Sequence, residues 1–364
     1  MKTKRNFTAV LLSTVLAISL SSCDTNSNKA TVNPTISTGI YVLNQGKFQK
    51  SNASLTYYNL LDSVVTSDIF TTKNNRGLGD TGQDMLKYGS KIYIAVYESS
   101  LIEVMNATTG ISEKSIPMLN SSGQPSSPRS LASYNGKIFI SLYDGHVAQL
   151  DTTTLLVEKT VAVGSNPEGI VVSNNKIYVA NSGGMAAKAD STISVIDPTT
   201  FTVTNKIKVV IDPIVLKADA YGNVYVISFG NYGSIPYTLQ CIQTASTPEQ
   251  VNVIPGLHPY NMTINGDDLY MYSYSYDANW SVINKSYAIY DVRTEKIVNS
   301  NFIASTAIAK TPYSIDVNPV TKDIYIGETD YSNTGKMYVF GQNGTLKFTF
   351  PTGVNPTKII FLTK

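Results

Sequence analysis

The sequence predicts an all-β protein, a seven-bladed β-propeller with four antiparallel strands in each blade and a first blade closed by the C-terminal strand. A short alternating strand with an aromatic residue at its third position recurs seven times, at intervals of 39 to 55 residues. Each copy is followed by two further strand patterns. Repeats of this length and strand content are typical of propellers. The seven aromatic residues are Tyr41, Tyr93, Phe139, Tyr178, Tyr225, Tyr270 and Tyr325.

The fourth repeat shows the order of elements within one blade. A short apolar strand led by proline begins at Pro167, and the polar pair Asn174-Asn175 follows it. Such pairs favour two-residue hairpin turns, so the next strand, KIYVAN at 176, should return antiparallel to the first. A longer loop then leads to the third strand, TISVID at 192, and a turn leads to the fourth, at 201. The same order recurs along the chain, and it is most degraded in the fifth repeat.

The two ends of the repeat region complement each other. The first repeat begins directly with its aromatic strand, GIYVLN at 39, and lacks the proline-led strand. The segment from Asn355 to Phe361 has the proline-led pattern but no repeat after it. We therefore expect it to pair beside Gly39–Asn44 and close a ring, so that no blade keeps an open edge. The alternative, a seven-repeat β-solenoid, does not need complementary ends.

The N-terminal segment predicts export and lipid anchoring. Lys2, Lys4 and Arg5 precede an apolar run from Phe7 to Leu20, which is too short to span a bilayer. It ends in Leu-Ser-Ser-Cys, which resembles the lipobox of bacterial lipoproteins and implies a diacylglyceryl group on Cys23. We expect a signal peptide over 1–22, a lipidated flexible tether over 23–37 and the propeller over 38–364. An ordinary signal peptide with a chance cysteine is the alternative.

Charge and cysteine content limit the partners. Removing the signal peptide's three cations leaves 28 − 3 = 25 basic residues against 26 acidic ones, a net charge near −1. A nearly neutral domain has no bulk attraction for nucleic acid, and we expect no nucleic-acid partner. Cys241 is the one cysteine after Cys23, so no internal disulfide can form in the mature domain. The fold must therefore depend on core packing.

Two segments carry a resemblance to known families. KIYVAN at 176 and SVIDPTT at 194 resemble the YncE-like and surface-layer-type seven-bladed propellers. The opening GIYVLNQGKFQKSNASLTYYN resembles the first blade of Bacteroidota surface lipoproteins that include the BtuG-like cobalamin-binding proteins. This resemblance implies capture of cobalamin (vitamin B12) at the cell surface, on the outer membrane, for a TonB-dependent transporter of the BtuB type. It implies no cofactor; cobalamin would be the ligand. The sequence does not decide whether the protein is held at the periplasmic or the extracellular leaflet.

Aromatic residues concentrate in the loops that should converge on one face of the ring. In DLYMYSYSYDANW (268–280), Tyr270 and Tyr272 should pack in the core, while Tyr274, Tyr276 and Trp280 pass the strand end. So many rings on one face favour a surface for a corrin, a sugar or an extended peptide; scattered packing is the alternative. The expected ligand-binding residues are Phe48, Tyr97, Arg129, Tyr143, His146, Phe229, Tyr232, His258, Tyr260, Tyr274, Tyr276, Trp280, Tyr313 and Tyr331.

Catalysis and metal binding have little support in the sequence. The two histidines, His146 and His258, lie in these loops without a nucleophile motif or metal-ligand spacing. We therefore expect no enzyme activity; a lyase that uses a histidine of this face is a minor alternative. Glycan binding, peptide binding or protein scaffolding on the same face are further alternatives. Acidic residues recur in the loops and could serve either a ligand or Asx-type turns: Glu98, Asp144, Asp190, Asp277 and Glu328.

Overall fold

The computed structural model describes residues 35–184, 189–304, 306–308 and 310–364. The expected signal peptide, Cys23 and residues 24–34 of the expected tether lie outside these residues, so those predictions stay predictions. Within the described ranges, no helix has the length and apolar character needed to cross a membrane.

The described chain forms twenty-eight strands in seven four-stranded sheets. Blade 1 contains β28, β1, β2 and β3 in spatial order, and blades 2 to 7 each take the next four strands in sequence, from β4–β7 to β24–β27. The strand bounds are β1 Ser37–Asn44, β2 Ser54–Asn59, β3 Val65–Thr66, β4 Gly82–Tyr88, β5 Lys91–Val96, β6 Leu101–Asn106, β7 Ser112–Pro117, β8 Pro128–Tyr134, β9 Lys137–Leu142, β10 His146–Asp151, β11 Val157–Ala162, β12 Pro167–Ser173, β13 Lys176–Asn181, β14 Thr192–Asp197, β15 Thr202–Lys208, β16 Pro213–Ala218, β17 Val224–Ser228, β18 Thr238–Gln243, β19 Gln250–Val253, β20 Asn261–Asn265, β21 Asp268–Tyr276, β22 Val282–Asp291, β23 Lys296–Asn299, β24 Thr311–Val317, β25 Ile324–Thr329, β26 Lys336–Phe340, β27 Leu346–Pro351 and β28 Pro356–Thr363.

The cores lie between neighbouring blades. Tyr93 and Ile102 of blade 2 pack with Leu131 and Ile140 of blade 3, and comparable clusters fill the spaces between other blades. Successive side chains of a strand point to opposite sheet faces. Because each sheet has a neighbour on both faces, its second strand is buried almost continuously, as in Lys91–Val96. The repeated aromatic residues are all buried in these strands.

The C-terminal strand closes the ring as the sequence predicts. β28 pairs antiparallel with β1, with Ile360 opposite Tyr41 and Ile359 opposite Val42. Beyond the sheet, Ile36 and Lys364 exchange backbone hydrogen bonds of 3.1 and 2.9 Å. The propeller prediction is therefore confirmed, and the open solenoid is excluded.

One short helix, α1 (Ile69–Asn74), is absent from the sequence prediction, which expected no helix in the domain. It begins after Asp68, whose carboxylate accepts a hydrogen bond of 3.2 Å from the Thr71 backbone N–H. Phe70 is fully buried, and the Arg76 guanidinium lies 4.9 Å from the centre of its ring. The fourth strand of blade 1 has only two residues. The apolar side of α1 packs on the part of the core that this short strand does not cover. Six residues are too few to show helical periodicity.

The first strands of the blades line the axis, and a left-handed residue precedes five of them. Thr81, Ser127, Asn166, Asp212 and Asn355 have φ between 48° and 61°. Six of the seven first strands also carry a register shift near their start, and β20 of blade 6 does not. Such bulges turn the strand and re-aim its side chains. Because the first and second strands of each blade are antiparallel, the loop before the first strand and the loop after the second lie on the same face, which we call the loop face.

Candidate functional site

A cleft of about 470 Å³ opens on the loop face between blades 5 and 6. We call it the aromatic cleft. Three loops form it: one joins β17 to β18, one joins β19 to β20, and one continues from β21. The residues that line it are Phe229, Tyr232, Gly233, Ile235, Pro236, Tyr237, His258, Tyr260, Tyr274, Ser275, Tyr276 and Trp280.

The floor of the cleft is a group of stacked rings. Tyr260 stacks on Tyr274 with ring centroids 4.4 Å apart and meets Phe229 in a tilted contact at 5.1 Å. Phe229 stacks in turn on Tyr237 at 4.7 Å. Tyr274 is buried and continues the core of blade 6 through Tyr272. Offset and tilted ring pairs at these distances are favourable beyond their buried area, so the floor is fixed by its own contacts.

The rim rings are exposed. Trp280, the only tryptophan of the chain, exposes 79% of its surface, Tyr232 exposes 72% and Tyr276 38%. Trp280 and Tyr232 have φ of 61° and 54°, and the neighbouring Tyr331 has 63°. Bulky residues are uncommon in this left-handed region, and each costs on the order of 1 kcal/mol or more. Three exposed rings are thus held in backbone conformations that other residues would adopt more readily.

Short polar side chains hold the loops in this shape. The Asp277 carboxylate accepts hydrogen bonds of 2.8 Å from the backbone N–H groups of Asn279 and Ser281. Asn231 does the same for Gly233 and Ile235, at 3.1 and 2.8 Å. These are Asx-type turns, which Asp and Asn form readily. The Asp277 carboxylate therefore has a structural role, because it holds the turn of its own loop.

The polar groups of the cleft are neutral hydroxyls and one imidazole. Burial raises the pKa of Tyr237 and Tyr274 above the ordinary value, so both keep their protons at neutral pH. The His258 Nδ1–H donates to the Tyr237 carbonyl at 2.5 Å, which leaves Nε2 as the ring nitrogen without this proton in the neutral form. The cleft can thus donate and accept hydrogen bonds beside apolar ring faces.

A carboxylate with an altered pKa lies behind the rim. Burial, with the nearby Glu168 charge, raises the pKa of Asp212 to about 6, although a hydrogen bond from the Tyr232 hydroxyl acts in the opposite direction. The Asp212 backbone carbonyl also accepts from the Phe229 N–H at 2.8 Å. Asp212 therefore ties one rim ring and one floor ring to the start of β16.

A second group of predicted residues lies across blades 2 and 3. The Arg129 guanidinium lies 4.9 Å from the Tyr97 ring centre and 5.2 Å from that of Tyr143, while the two rings meet edge to face at 5.8 Å. Arg129 donates to both oxygens of Glu168 at 2.7 and 2.8 Å. A planar guanidinium suits both contacts. Because the guanidinium donors of Arg129 are directed at Glu168, this second group of residues is held together by its own contacts.

The remaining predicted residues occupy three places. Tyr313 and Tyr331 of blade 7 meet edge to face at 5.8 Å, and burial, with the nearby Tyr276 hydroxyl, raises the pKa of Tyr331, so this pair adjoins the aromatic cleft. His146 contacts Asp144 at 3.1 Å on blade 3. Phe48 exposes 58% of its surface on blade 1 and has no ring neighbour among the described residues. The structure therefore brings seven of the fourteen predicted residues into the cleft, with two adjoining it.

Five lining residues were missed: Gly233, Ile235, Pro236, Tyr237 and Ser275. The sequence prediction chose only aromatic residues and one histidine for this part of the loop face, and Tyr237 lies directly before β18. The sequence did contain a signal for Tyr237, because an aromatic residue directly before β18 lies in the same loop as Phe229 and Tyr232. Within the described ranges, no three His, Cys, Asp or Glu side chains are grouped to hold a metal ion.

Solved structures share this fold at low sequence identity. A Bacteroides uniformis protein provisionally described as a 6-phosphogluconolactonase matches 90% of this chain and 99% of its own, with 12% identity and a TM-score of 0.62. A chain of Kuenenia stuttgartiensis hydrazine synthase matches 76% of this chain and 88% of its own, with 17% identity and a TM-score of 0.60. A chain of a mitotic checkpoint complex covers 94% and 90%, with 12% identity and a TM-score of 0.56. At such identities the likeness concerns the fold alone.

Sequence comparison places the chain in a family. None of the curated proteins matches it significantly. The family model described as a domain of unknown function, DUF5074, matches residues 38–353, which is nearly the whole propeller. The chain therefore belongs to the DUF5074 family.

Proposed function

We propose that this protein is a non-catalytic binding protein that takes its ligand in the aromatic cleft. The propeller fold supports a binding or scaffold role. The observation that carries the proposal is the rim, where Tyr232 and Trp280 are exposed and held in left-handed backbone conformations above a stacked floor. Strained conformations persist where the surroundings impose them, and they concentrate at functional sites.

The lining favours a ligand with flat or ring-shaped apolar faces and hydrogen-bonding edges. Ring faces of Tyr276 and Trp280 offer stacking area, and the neutral tyrosine hydroxyls and His258 offer hydrogen bonds. Mostly apolar walls with a few polar groups are typical of small-molecule sites of this volume. No side chain of the lining carries a fixed charge. A neutral ligand therefore fits better than a strongly ionic one.

Cobalamin is the specific ligand that we propose, on the strength of the family resemblance of the first blade. It presents flat ring systems and many amide groups, which match the stacking faces and the hydroxyls. A ligand larger than the cleft would insert one part there and extend over the loop face. In this proposal a lipid on Cys23 holds the protein at the outer membrane, and a TonB-dependent transporter receives the cobalamin.

Calorimetric titration with cyanocobalamin tests the ligand directly. Saturable heat with a Kd at or below micromolar supports it, provided that Trp280→Ala weakens the binding. Absence of heat at micromolar concentrations rejects cobalamin. The anchor has its own test: Cys23→Ser should move the expressed protein from the membrane fraction to the soluble fraction.

Glycan binding is the second candidate, because stacked tyrosines beside neutral hydroxyls also suit a pyranose ring. A glycan array separates the two, since a hit that Tyr276→Ala removes, without any cobalamin heat, supports the glycan. A protein scaffold would instead retain partners from outer-membrane extracts through the same face. The lyase alternative predicts that His146→Ala or His258→Ala abolishes turnover of a substrate while binding remains.

A further inference from the structure

A second cavity, separate from the aromatic cleft, lies on the propeller axis. It has a volume of about 290 Å³, and residues from the first strand of all seven blades line it. Its lining contains three anionic and three cationic side chains: Asp84, Arg129, Glu168, Lys217, Asp316 and Lys358. Charged groups that line a small cavity need hydrogen-bond or ion-pair partners, because removing an unpaired charge from water is costly.

The three carboxylates have their partners. Glu168 receives both donors of Arg129. Asp84 accepts from the backbone N–H groups of Met85 and Leu131, at 2.8 and 2.9 Å, and contacts Lys358 at 3.4 Å. Asp316 accepts from the Val317 N–H at 2.9 Å and from the Thr263 hydroxyl at 3.1 Å. Peptide and hydroxyl donors therefore satisfy much of the acceptor capacity of the two aspartates.

The two lysines, in contrast, have more hydrogen-bond donors than acceptors to receive them. Their ammonium groups supply six N–H donors between them. Lys358 has one acceptor, Asp84 at 3.4 Å, and Lys217 has no hydrogen bond or ion pair with any described residue. Repulsion from Lys358 and burial lower the pKa of Lys217 to about 8, although Asp316 and Asp84 act in the opposite direction. Two like charges thus converge in one small cavity with unused donors.

We infer that the axial cavity binds a small oxyanion between the ammonium groups of Lys217 and Lys358. An oxyanion brings several acceptor oxygens and one or two negative charges, which match the unused donors and cancel the repulsion. The volume admits phosphate, sulfate or a small carboxylate with a few waters, since one water occupies about 30 Å³. This site is independent of the cleft and of its ligand.

Selenate is a suitable probe, because its selenium scatters anomalously. Crystals grown with selenate should show an anomalous selenium peak in the cavity, with selenate oxygens within hydrogen-bonding distance of both lysine Nζ atoms. In solution, selenate should raise the melting temperature saturably at constant ionic strength. Lys217→Met should weaken this effect at least tenfold, whereas Lys159→Met, which removes an exposed lysine from β11, should leave it unchanged. Parallel titrations with phosphate and with acetate or succinate distinguish an inorganic anion from a carboxylate.

The pH dependence gives a second readout. Binding requires a charged Lys217, so affinity should fall as pH rises through about 8, by about fivefold between pH 8 and pH 9. Lys217→Met should lack this dependence. An anomalous peak elsewhere, equal stabilisation of both lysine variants, or a cavity that holds only water in the selenate crystals would each overturn the inference. The wild-type crystals decide the question even if Lys217→Met fails to fold.

Discussion

Tyr260 and Tyr274 stack with ring centroids 4.4 Å apart and ring planes inclined by 23°. This contact joins the residue just before β20 to the aromatic strand of the same blade. β20 also lacks the register shift found in the other six first strands. The aromatic cleft therefore lies where the repeat departs from its regular form, and blades 5 and 6 share its floor.

The exposed rim should supply binding energy without supporting the fold. Trp280→Ala and Tyr276→Ala should each weaken ligand affinity by about 10- to 100-fold, because buried aromatic anchors dominate binding surfaces. The melting temperature should change little in Trp280→Ala, since that ring is largely exposed, and somewhat more in Tyr276→Ala, because Tyr276 is 38% exposed and packs on Tyr274. Calorimetry and thermal unfolding measure the two effects. Leu61→Ala, at an exposed apolar residue outside the cleft, is the matched control. Equal affinity in all three variants would contradict the proposed site.

The left-handed conformation of Trp280 gives a prediction about stability. Trp280→Gly and Trp280→Ala both remove the ring, but only glycine adopts φ of 61° without a steric cost. The glycine variant should be more stable than the alanine variant by about 1 kcal/mol. Urea unfolding measures the difference, and both variants should lose ligand affinity equally. Equal stability of the two would mean that the backbone at this position carries no strain.

The carboxyl of Asp212 predicts a pH-dependent stability. Its pKa of about 6 in the folded state lies above its ordinary value of 3.8, so the folded state disfavours the charge. This destabilisation is present above pH 6 and disappears as pH falls through 6 towards 4. Asp212→Asn, which suits the left-handed backbone there, should therefore raise the free energy of unfolding at pH 7.5 and have little effect near pH 4.

Denaturant unfolding at the two pH values measures this effect. Asp197→Asn is the matched control of opposite sign, because backbone hydrogen bonds from Thr200 and Thr199 lower the pKa of Asp197. That variant should be no more stable than the wild type at pH 7.5. A stability gain in Asp212→Asn that persists unchanged at pH 4 would show that relief of the charge is not its cause.

The closing strand should carry a large share of the stability. Ile359 is buried between blades 1 and 7, so Ile359→Ala should lower the free energy of unfolding by about 2–5 kcal/mol. Ile297→Ala, on the exposed strand β23, should change it by about 0.5 kcal/mol or less. Both values come from urea unfolding. A cost for Ile359→Ala as small as that for Ile297→Ala would mean that β28 closes the ring only loosely.

The repeat made the blades predictable. An aromatic residue such as Tyr178 marks a strand that packs on both faces, so its spacing counts the blades. The missing first strand of blade 1 predicts β28 in the same way. These features depend on local alternation and on the requirement that every edge be paired, and both can be read from one sequence.

The cleft was only partly predictable. The sequence indicates which rings reach the loop face, but not that the loops of blades 5 and 6 meet while Phe48 and His146 stay apart. That grouping depends on left-handed residues such as Tyr232, which residue type does not indicate. Helix α1 was missed because its six residues replace a shortened strand, and its stability comes from tertiary contacts of Phe70 rather than from its own periodicity.

The paired backbone groups of Ile36 and Lys364 place the two ends of the propeller side by side. A short linker between them would make the domain a covalent circle, and new termini could then be opened at the hairpin turn of Asn135 and Gly136. Such a circular permutant would keep every strand ladder and both cavities while another blade became the one built from two distant stretches of chain. The contacts that hold the ring together therefore do not require the chain termini to lie in blade 1.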